Sequence, residues 1–176
     1  CAAVGLTSNY VGEFDSRLLS PAFTIPDSLQ NPRLRFWHWW SIGSYDYGSV
    51  QIKENGSSAW VDISPQYYGS GGNIWNHAFI DLTPYANKNI QLAFYFHANG
   101  PYEGPGWFID DVSIETGQVS FSFPENFESG IGNWYSDFGS WQVGNPSIGP
   151  NGAHGGLKCA AVGLTSNYVG EFDSRL

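Results

Sequence analysis

The sequence predicts an all-β protein, a two-sheet antiparallel β-sandwich of jelly-roll type, and three observations carry that expectation. No segment of helical length keeps a 3.6-residue apolar period without Gly or Pro interrupting it, so helix signals are nearly absent. Short alternating runs bounded by Gly, Pro, Asn and Ser recur along the whole chain, the pattern of half-buried strands. The 176 residues include 22 Gly and 10 Pro, and 17% are aromatic, which supplies turn formers and large side chains for a core between sheets.

The expected strands are Val119–Phe123, Trp141–Val143, Lys158–Leu164, Arg17–Ser20, Leu34–Ser41, Ser49–Glu54, Trp60–Ile63, His77–Leu82, Ile90–His97 and Trp107–Ile114. Asn55-Gly56 after Val50-Gln51-Ile52-Lys53 marks a hairpin, because both residues tolerate positive φ. Strands this short, with turns this frequent, close into two sheets.

Residues 1–18 read CAAVGLTSNYVGEFDSRL, and residues 159–176 read the same letter for letter. The offset from Cys1 to Cys159 is 158 positions. A recent duplication is the simplest cause, so the chain is expected to be a window from a tandem array with a period of 158 residues. A period of that length means whole domains in series, not the short units of a solenoid. Cys1 and Cys159 are then one position seen twice, most simply a small buried apolar residue in a strand. One cysteine per repeat makes no disulfide inside a repeat.

Lys and Arg number 7 against 16 Asp and Glu, a net charge of −9, and a chain this acidic lacks the footprint for nucleic acid or anionic membrane surfaces. No run of apolar residues is long enough to span a membrane as a helix. The aromatic, Asn-, Gly- and Ser-rich composition points to an extracellular protein. Catalytic signatures are missing: the histidines have no HExxH spacing and no Gly-x-Ser-x-Gly elbow occurs. Adjacent carboxylates such as Asp110-Asp111 point to opposite faces of a strand and do not flank one glycosidic bond. The chain is expected not to be an enzyme.

Taken from Gln118 across the repeat junction to Gly117, the order of motifs is specific. It opens on Phe127-Glu128-Ser129-Gly130 with Trp134 and Trp141, and continues through Leu18-Leu19-Ser20-Pro21, then Leu34, Phe36 and His38. Tyr45-Asp46-Tyr47-Gly48-Ser49-Val50, Trp60 and Ile80-Asp81-Leu82-Thr83-Pro84-Tyr85 follow, and Gly106-Trp107-Phe108-Ile109-Asp110-Asp111-Val112 closes it. This resembles the MAM-like jelly-roll domains of bacterial and archaeal secreted proteins, relatives of several carbohydrate-binding modules. The resemblance implies that residues 1–117 are the later part of one repeat and 118–176 the opening part of the next. It also implies a structural Ca²⁺ held by Glu128 and Asp110, with Asp111 adjacent and Asp15 or Glu13 as further ligand candidates. Oxygen ligands of that kind suit a hard cation. Strand alternation places Asp110 with Val112 and Ile114, facing inward.

In Leu34–Trp40, the residues Arg35, Trp37 and Trp39 share the face opposite Leu34, Phe36, His38 and Trp40. In Leu92–His97, Tyr95 and His97 oppose the apolar Leu92, Phe94 and Phe96. The resemblance implies that these two strands are neighbours, so Trp37, Trp39 and Tyr95 are expected to form one aromatic platform. Three uses stay open: stacking on sugar rings, burial against the next repeat, or cover by a loop such as 66–75. Asn55-Gly56-Ser57 is a glycosylation sequon on the expected hairpin tip.

The function expected is a structural repeat unit of a long extracellular fibre or cell-surface adhesin, with neighbouring copies of itself as head-to-tail partners. The alternative is a glycan-binding module of a secreted protein. If Glu128 and Asp110 share a Ca²⁺, excess chelator lowers the thermal midpoint through lost ligand linkage. An unchanged melting curve in chelator removes the ion from the account.

Overall fold

A computed structural model gives the three-dimensional arrangement and describes residues 1–121, 123–168 and 173–176. The described chain is almost wholly β, with strands β1 (Ala2–Ala3), β2 (Phe14–Leu19), β3 (Phe23–Thr24), β4 (Arg33–Ser41), β5 (Tyr47–Glu54) and β6 (Val61–Asp62). The series continues with β7 (Asn76–Asp81), β8 (Asn89–Ala98), β9 (Gly106–Glu115), β10 (Trp141–Gly144) and β11 (Cys159–Val162). Residue 122, inside the expected strand Val119–Phe123, lies outside the described residues, and the rest of that segment is not a strand.

Two antiparallel sheets make the sandwich. One is four-stranded, in the order β1-β9-β4-β7. The other is five-stranded, in the order β2-β8-β5-β6 with β3 also on β8. Strands β10 and β11 form a separate two-stranded ladder.

Period-two alternation builds the core. On β4, Leu34, Phe36, His38 and Trp40 are almost fully buried between the sheets. Trp107 and Ile109 of β9 and Ala78 and Ile80 of β7 join them from the same sheet. Val50 and Ile52 of β5 and Ile90, Leu92 and Phe96 of β8 face them from the other. Phe94 bridges the layers, with its ring 5.1 Å from Phe36 and 5.7 Å from Trp107. Gly48 is obligatory in β5, because a Cβ there would collide with the Trp107 indole.

Most buried polar groups are paired, Asn76 Oδ1 and Ser140 Oγ being the exceptions among the described residues. Asp46, 2% exposed, accepts from Tyr10 Oη at 2.5 Å and from the Asn99 amide at 2.7 Å. Desolvation raises the Tyr10 hydroxyl pKa, and the hydrogen bond to Asp46 adds to it. The phenol therefore stays a donor. His38 Nδ1 accepts from Trp107 Nε1 at 3.3 Å.

Two local expectations change. The turn Glu54–Ser57 forms, with Ser57 N donating to Glu54 O at 2.9 Å, yet only Gly56 has positive φ. Strand β6 rejoins β5 only at Asp62 and Val61, so 55–60 is a longer loop, with Asn55 exposed on it. In β9 a bulge sits at Asp111, whose φ is 49°, where the register against β4 shifts between Arg35 and Trp37. The extra residue breaks the alternation. Asp110 is paired with Trp37 and lies on the outer face, not inward, while Ile114 still opposes core Leu34.

Burial holds His38 neutral and pushes its pKa down to about 3. The unfolded imidazole titrates near 6.5, so the unfolded state binds more protons in between, and stability falls as pH drops from about 6.5 toward 3. His77, lowered to about 4 by burial and then by Arg35, adds to the same slope. His38→Gln keeps an acceptor for Trp107 but removes one titration. Urea unfolding between pH 5 and 7 is expected to show a slope reduced by up to about 1.4 kcal/mol per pH unit.

Candidate functional site

The candidate site is the outer face of the five-stranded sheet. Antiparallel pairing places Asp15 of β2 opposite His97 of β8, and His97 opposite Tyr47 of β5. The next row on this face is Arg17, Tyr95 and Ser49, and the one after that is Leu19, Ala93 and Gln51, with Gln51 opposite Asp62 of β6. Because paired residues share a face, four strands contribute to one continuous surface.

The side chains on it hold one another. Asp15 Oδ1 accepts from Tyr95 Oη at 2.7 Å and lies 2.7 Å from His97 Nδ1. The His97 contact, then the Tyr95 hydrogen bond, hold the Asp15 carboxyl below its usual pKa, so it is an anion at neutral pH. Desolvation, then the hydrogen bond to Asp15, shift Tyr95 upward and keep it a donor. Arg17 Nε donates to Gln51 Oε1 at 2.8 Å, and its guanidinium lies 4.4 Å from the Tyr95 ring centroid. Gln51 Nε2 and Ser49 Oγ both donate to Asp62 Oδ1, at 2.9 and 2.7 Å. Trp60 flanks the surface, with Lys53 Nζ 4.8 Å and the Arg17 guanidinium 5.6 Å from its ring. Tyr47 closes the other end, 6.0 Å from Tyr95 and 5.1 Å from His97. The result is a set of fixed aromatic rings interleaved with ionised and amide groups.

The expected platform of Trp37, Trp39 and Tyr95 does not form, because β4 and β8 belong to different sheets. Each strand has the inward and outward faces expected from its alternation, but the two outward faces lie on opposite sides of the sandwich. Trp37 stacks on His77 at 4.6 Å and 9° between planes, and Trp39 meets Phe108 edge-on at 5.4 Å. His77 Nδ1 lies 2.7 Å from Nη2 of buried Arg35, and Phe79 stacks on Tyr135 at 4.8 Å. The segment around Trp134 and Tyr135 thus roofs part of this face, and Arg35 Nη2 donates to Trp134 O at 3.4 Å. The 66–75 loop covers Trp40 instead, which donates to Tyr68 O.

The expected calcium ligands have separate partners. Glu128 Oε1 accepts from the amides of Leu157 and Lys158, both at 2.8 Å, while Asp110 Oδ2 lies 3.4 Å from the Cys1 nitrogen. Asp15 belongs to the Tyr95 cluster, and Asp111 is exposed at the bulge. Among the described residues no three His, Cys, Asp or Glu side chains converge as a metal site does.

Of the residues on this face only Tyr95 is expected from the sequence as a platform residue, with His97 beside it on the same side of the strand; Arg17, Tyr47, Gln51, Trp60 and Asp62 are not among the candidates for that platform. The signal was present in β5, where Tyr47, Ser49, Gln51 and Lys53 alternate with Gly48, Val50 and Ile52. What it lacked was the neighbour relation of β2, β8 and β5.

No family model matches the chain. Over 110 residues it is 32% identical to Bacillopeptidase F of Bacillus subtilis (strain 168), covering 62% of this chain and 8% of that protein. Over 117 residues it is 28% identical to Pre-pro-metalloprotease PrtV of Vibrio cholerae serotype O1 (strain M66-2), covering 61% of this chain and 12% of that one. The chain therefore spans between 8% and 12% of the length of these curated relatives. Among solved structures, TmCBM61 in complex with β-1,4-galactotriose superposes with a TM-score of 0.40 at 16% identity, over 59% of this chain and 64% of that one. Among the described residues no helix is long and apolar enough to cross a membrane.

The two outer faces are separable by mutation. Trp37→Ala with Trp39→Ala removes the ring contacts with His77 and Phe108 and is expected to cost between about 1 and 3 kcal/mol in urea unfolding. The same variant leaves the Tyr95 face unchanged, checked by an unaltered Tyr95–Asp15 hydrogen bond in a structure of the variant.

Proposed function

We propose that the chain is a non-catalytic glycan-binding module of a larger extracellular protein, with a MAM-like jelly roll presenting the Tyr95 face to the sugar. The observation that carries this reading is the cross-strand array Tyr47–Tyr95–Arg17–Trp60, in which the rings are fixed by side chains that are themselves hydrogen-bonded. A pyranose has apolar C–H faces and a rim of hydroxyl groups. Tyr and Trp rings supply an apolar surface with little rotamer entropy to lose. Asp15 and Asp62 offer acceptor lone pairs to hydroxyls, and Arg17 and Lys53 offer donors.

Both carboxylates are already held through Oδ1 by neighbouring donors, Asp15 by Tyr95 and Asp62 by Ser49 and Gln51, so their second oxygens are the ones offered to a sugar. That favours binding over acid–base chemistry, which needs a carboxyl with an unusual proton affinity aimed at a reacting bond. Mixed charge on the face, in a chain of net charge −9, favours a neutral glycan over a polyanion. The match to a small fraction of two much longer proteins named as peptidases supports an accessory module carried beside a separate activity. The fibre or adhesin reading rests on the duplicated segment and concerns assembly, not this face.

The test is titration with a panel of neutral and uronate-containing oligosaccharides, followed by tryptophan fluorescence and calorimetry. Neutral oligosaccharides are expected to shift the tryptophan emission of the parent chain, with that shift lost in Trp60→Ala, and Tyr95→Ala and Trp60→Ala each to weaken binding by about tenfold or more, which is about 1.4 kcal/mol. If no sugar perturbs the parent chain at millimolar concentration, the proposal fails.

A further inference from the structure

We propose, building on the glycan-binding reading above, that the glycan on the Tyr95 face is mostly neutral but carries one acidic sugar, whose carboxylate is taken by Arg17 and Lys53 beside Trp60. The way the chain pairs its positive charges points to this. It has 7 Lys and Arg against 16 Asp and Glu. Arg33, Lys88 and Arg175 form ion pairs with Glu115, Glu54 and Asp137. Arg35 is buried against His77, and Lys158 Nζ donates to the Glu128 main-chain carbonyl. That leaves Arg17 and Lys53, and among the described residues neither has a carboxylate at ion-pair distance. Both converge on one indole. The Arg17 guanidinium lies 5.6 Å and the Lys53 ammonium 4.8 Å from the Trp60 ring centroid.

Sheet register brings the two cations together. Arg17 of β2 is opposite Tyr95 of β8, and Lys53 follows Ser49 and Gln51 on the same face of β5. Between β2 and β5 on this face stands Ala93 of β8, which is fully buried. Its short side chain leaves room for Arg17 to cross β8 and donate from Nε to Gln51 Oε1 at 2.8 Å.

The aspartates of the face are held away from both cations. Asp15 Oδ1 is engaged by Tyr95 Oη and His97 Nδ1, and Asp62 Oδ1 by Ser49 Oγ and Gln51 Nε2. Gln51 thus stands between Arg17 and Asp62 as a neutral amide, accepting from the cation and donating to the anion. A carboxylate at that position would cancel the charge on Arg17, whereas the amide fixes the guanidinium and leaves the charge intact. The Tyr95 ring, 4.4 Å from the same guanidinium, acts likewise, because a ring quadrupole attracts a cation without neutralising it. With Nε committed to Gln51, the Nη donors remain for a planar, two-oxygen acceptor.

A uronic acid matches this arrangement. Its carboxylate projects from the rim of the pyranose, so the apolar face of the ring can lie on the aromatic surface while the acid meets the two cations. A polyanion does not match. Beyond Arg17 and Lys53 the face presents Asp15 and Asp62, and the whole chain carries a net charge of −9, so one acid is attracted and further acids are repelled.

Matched ligands test this in the full chain. The probes are disaccharides ending in a uronate, in the gluco, galacto and manno series, each beside its methyl ester, which lacks the charge. Calorimetry at low ionic strength is expected to show the acid of at least one series bound about tenfold or more tightly than its ester. That ratio is expected to shrink as salt rises past roughly 0.15 M. In the double variant Arg17→Gln with Lys53→Gln the ratio is expected to fall to about one, while Lys53→Arg keeps it. The ratio is the readout, because both residues also meet sugar hydroxyls and absolute affinity changes with either. Esters bound as tightly as acids by the parent chain, a comparison that needs no variant, overturn the acidic-sugar proposal and leave the glycan-binding reading standing. A ratio that survives the double variant also overturns it, and binding of neither acid nor ester overturns both.

Discussion

The indole of Trp107 lies on the bare backbone of Gly48, and this contact sets how closely the two sheets approach. Any side chain at position 48 would push β5 away from β9, and the aromatic ladder Phe36–Phe94–Trp107 would lose its closest packing. Dispersion in a core falls steeply with small gaps. The sheets are therefore held at one spacing, and with it the assignment of every strand residue to an inner or an outer face. His38 and the pair Tyr10–Asp46 are accommodated inside because His38 Nδ1, Tyr10 Oη and the Asp46 carboxylate have partners at hydrogen-bond distance, which offsets desolvation.

Once the inner faces are committed to packing, chemistry is left to the outer faces, and the two differ. On the four-stranded sheet, Arg35, Trp37 and His77 stack and pair beneath the segment around Trp134. On the five-stranded sheet, Arg17, Tyr47 and Tyr95 are held by side-chain contacts within the face itself. Aromatic content is similar, but the first face is used for internal cohesion and the second presents preorganised rings and charges outward.

The duplicated segment shows that local sequence does not choose its own surroundings. Identical residues bury a leucine in one copy and a tyrosine in the other, because each copy meets a different portion of the fold.

The sequence by itself determined the all-β class, most of the strands and the inward residues of β4 and β8. These depend on a period of two and on turn residues, which are local. It also exposed the repeat, which is a matter of identity alone. Only the tertiary structure decided which strands are neighbours. It put β4 and β8 in separate sheets and so divided Trp37 and Trp39 from Tyr95. It brought Arg17, Gln51 and Asp62 together from three strands, and it turned Asp110 outward through the bulge at Asp111. Pairing between distant strands depends on loop paths and on which apolar faces fit against each other, and neither is written in the alternation of any one strand.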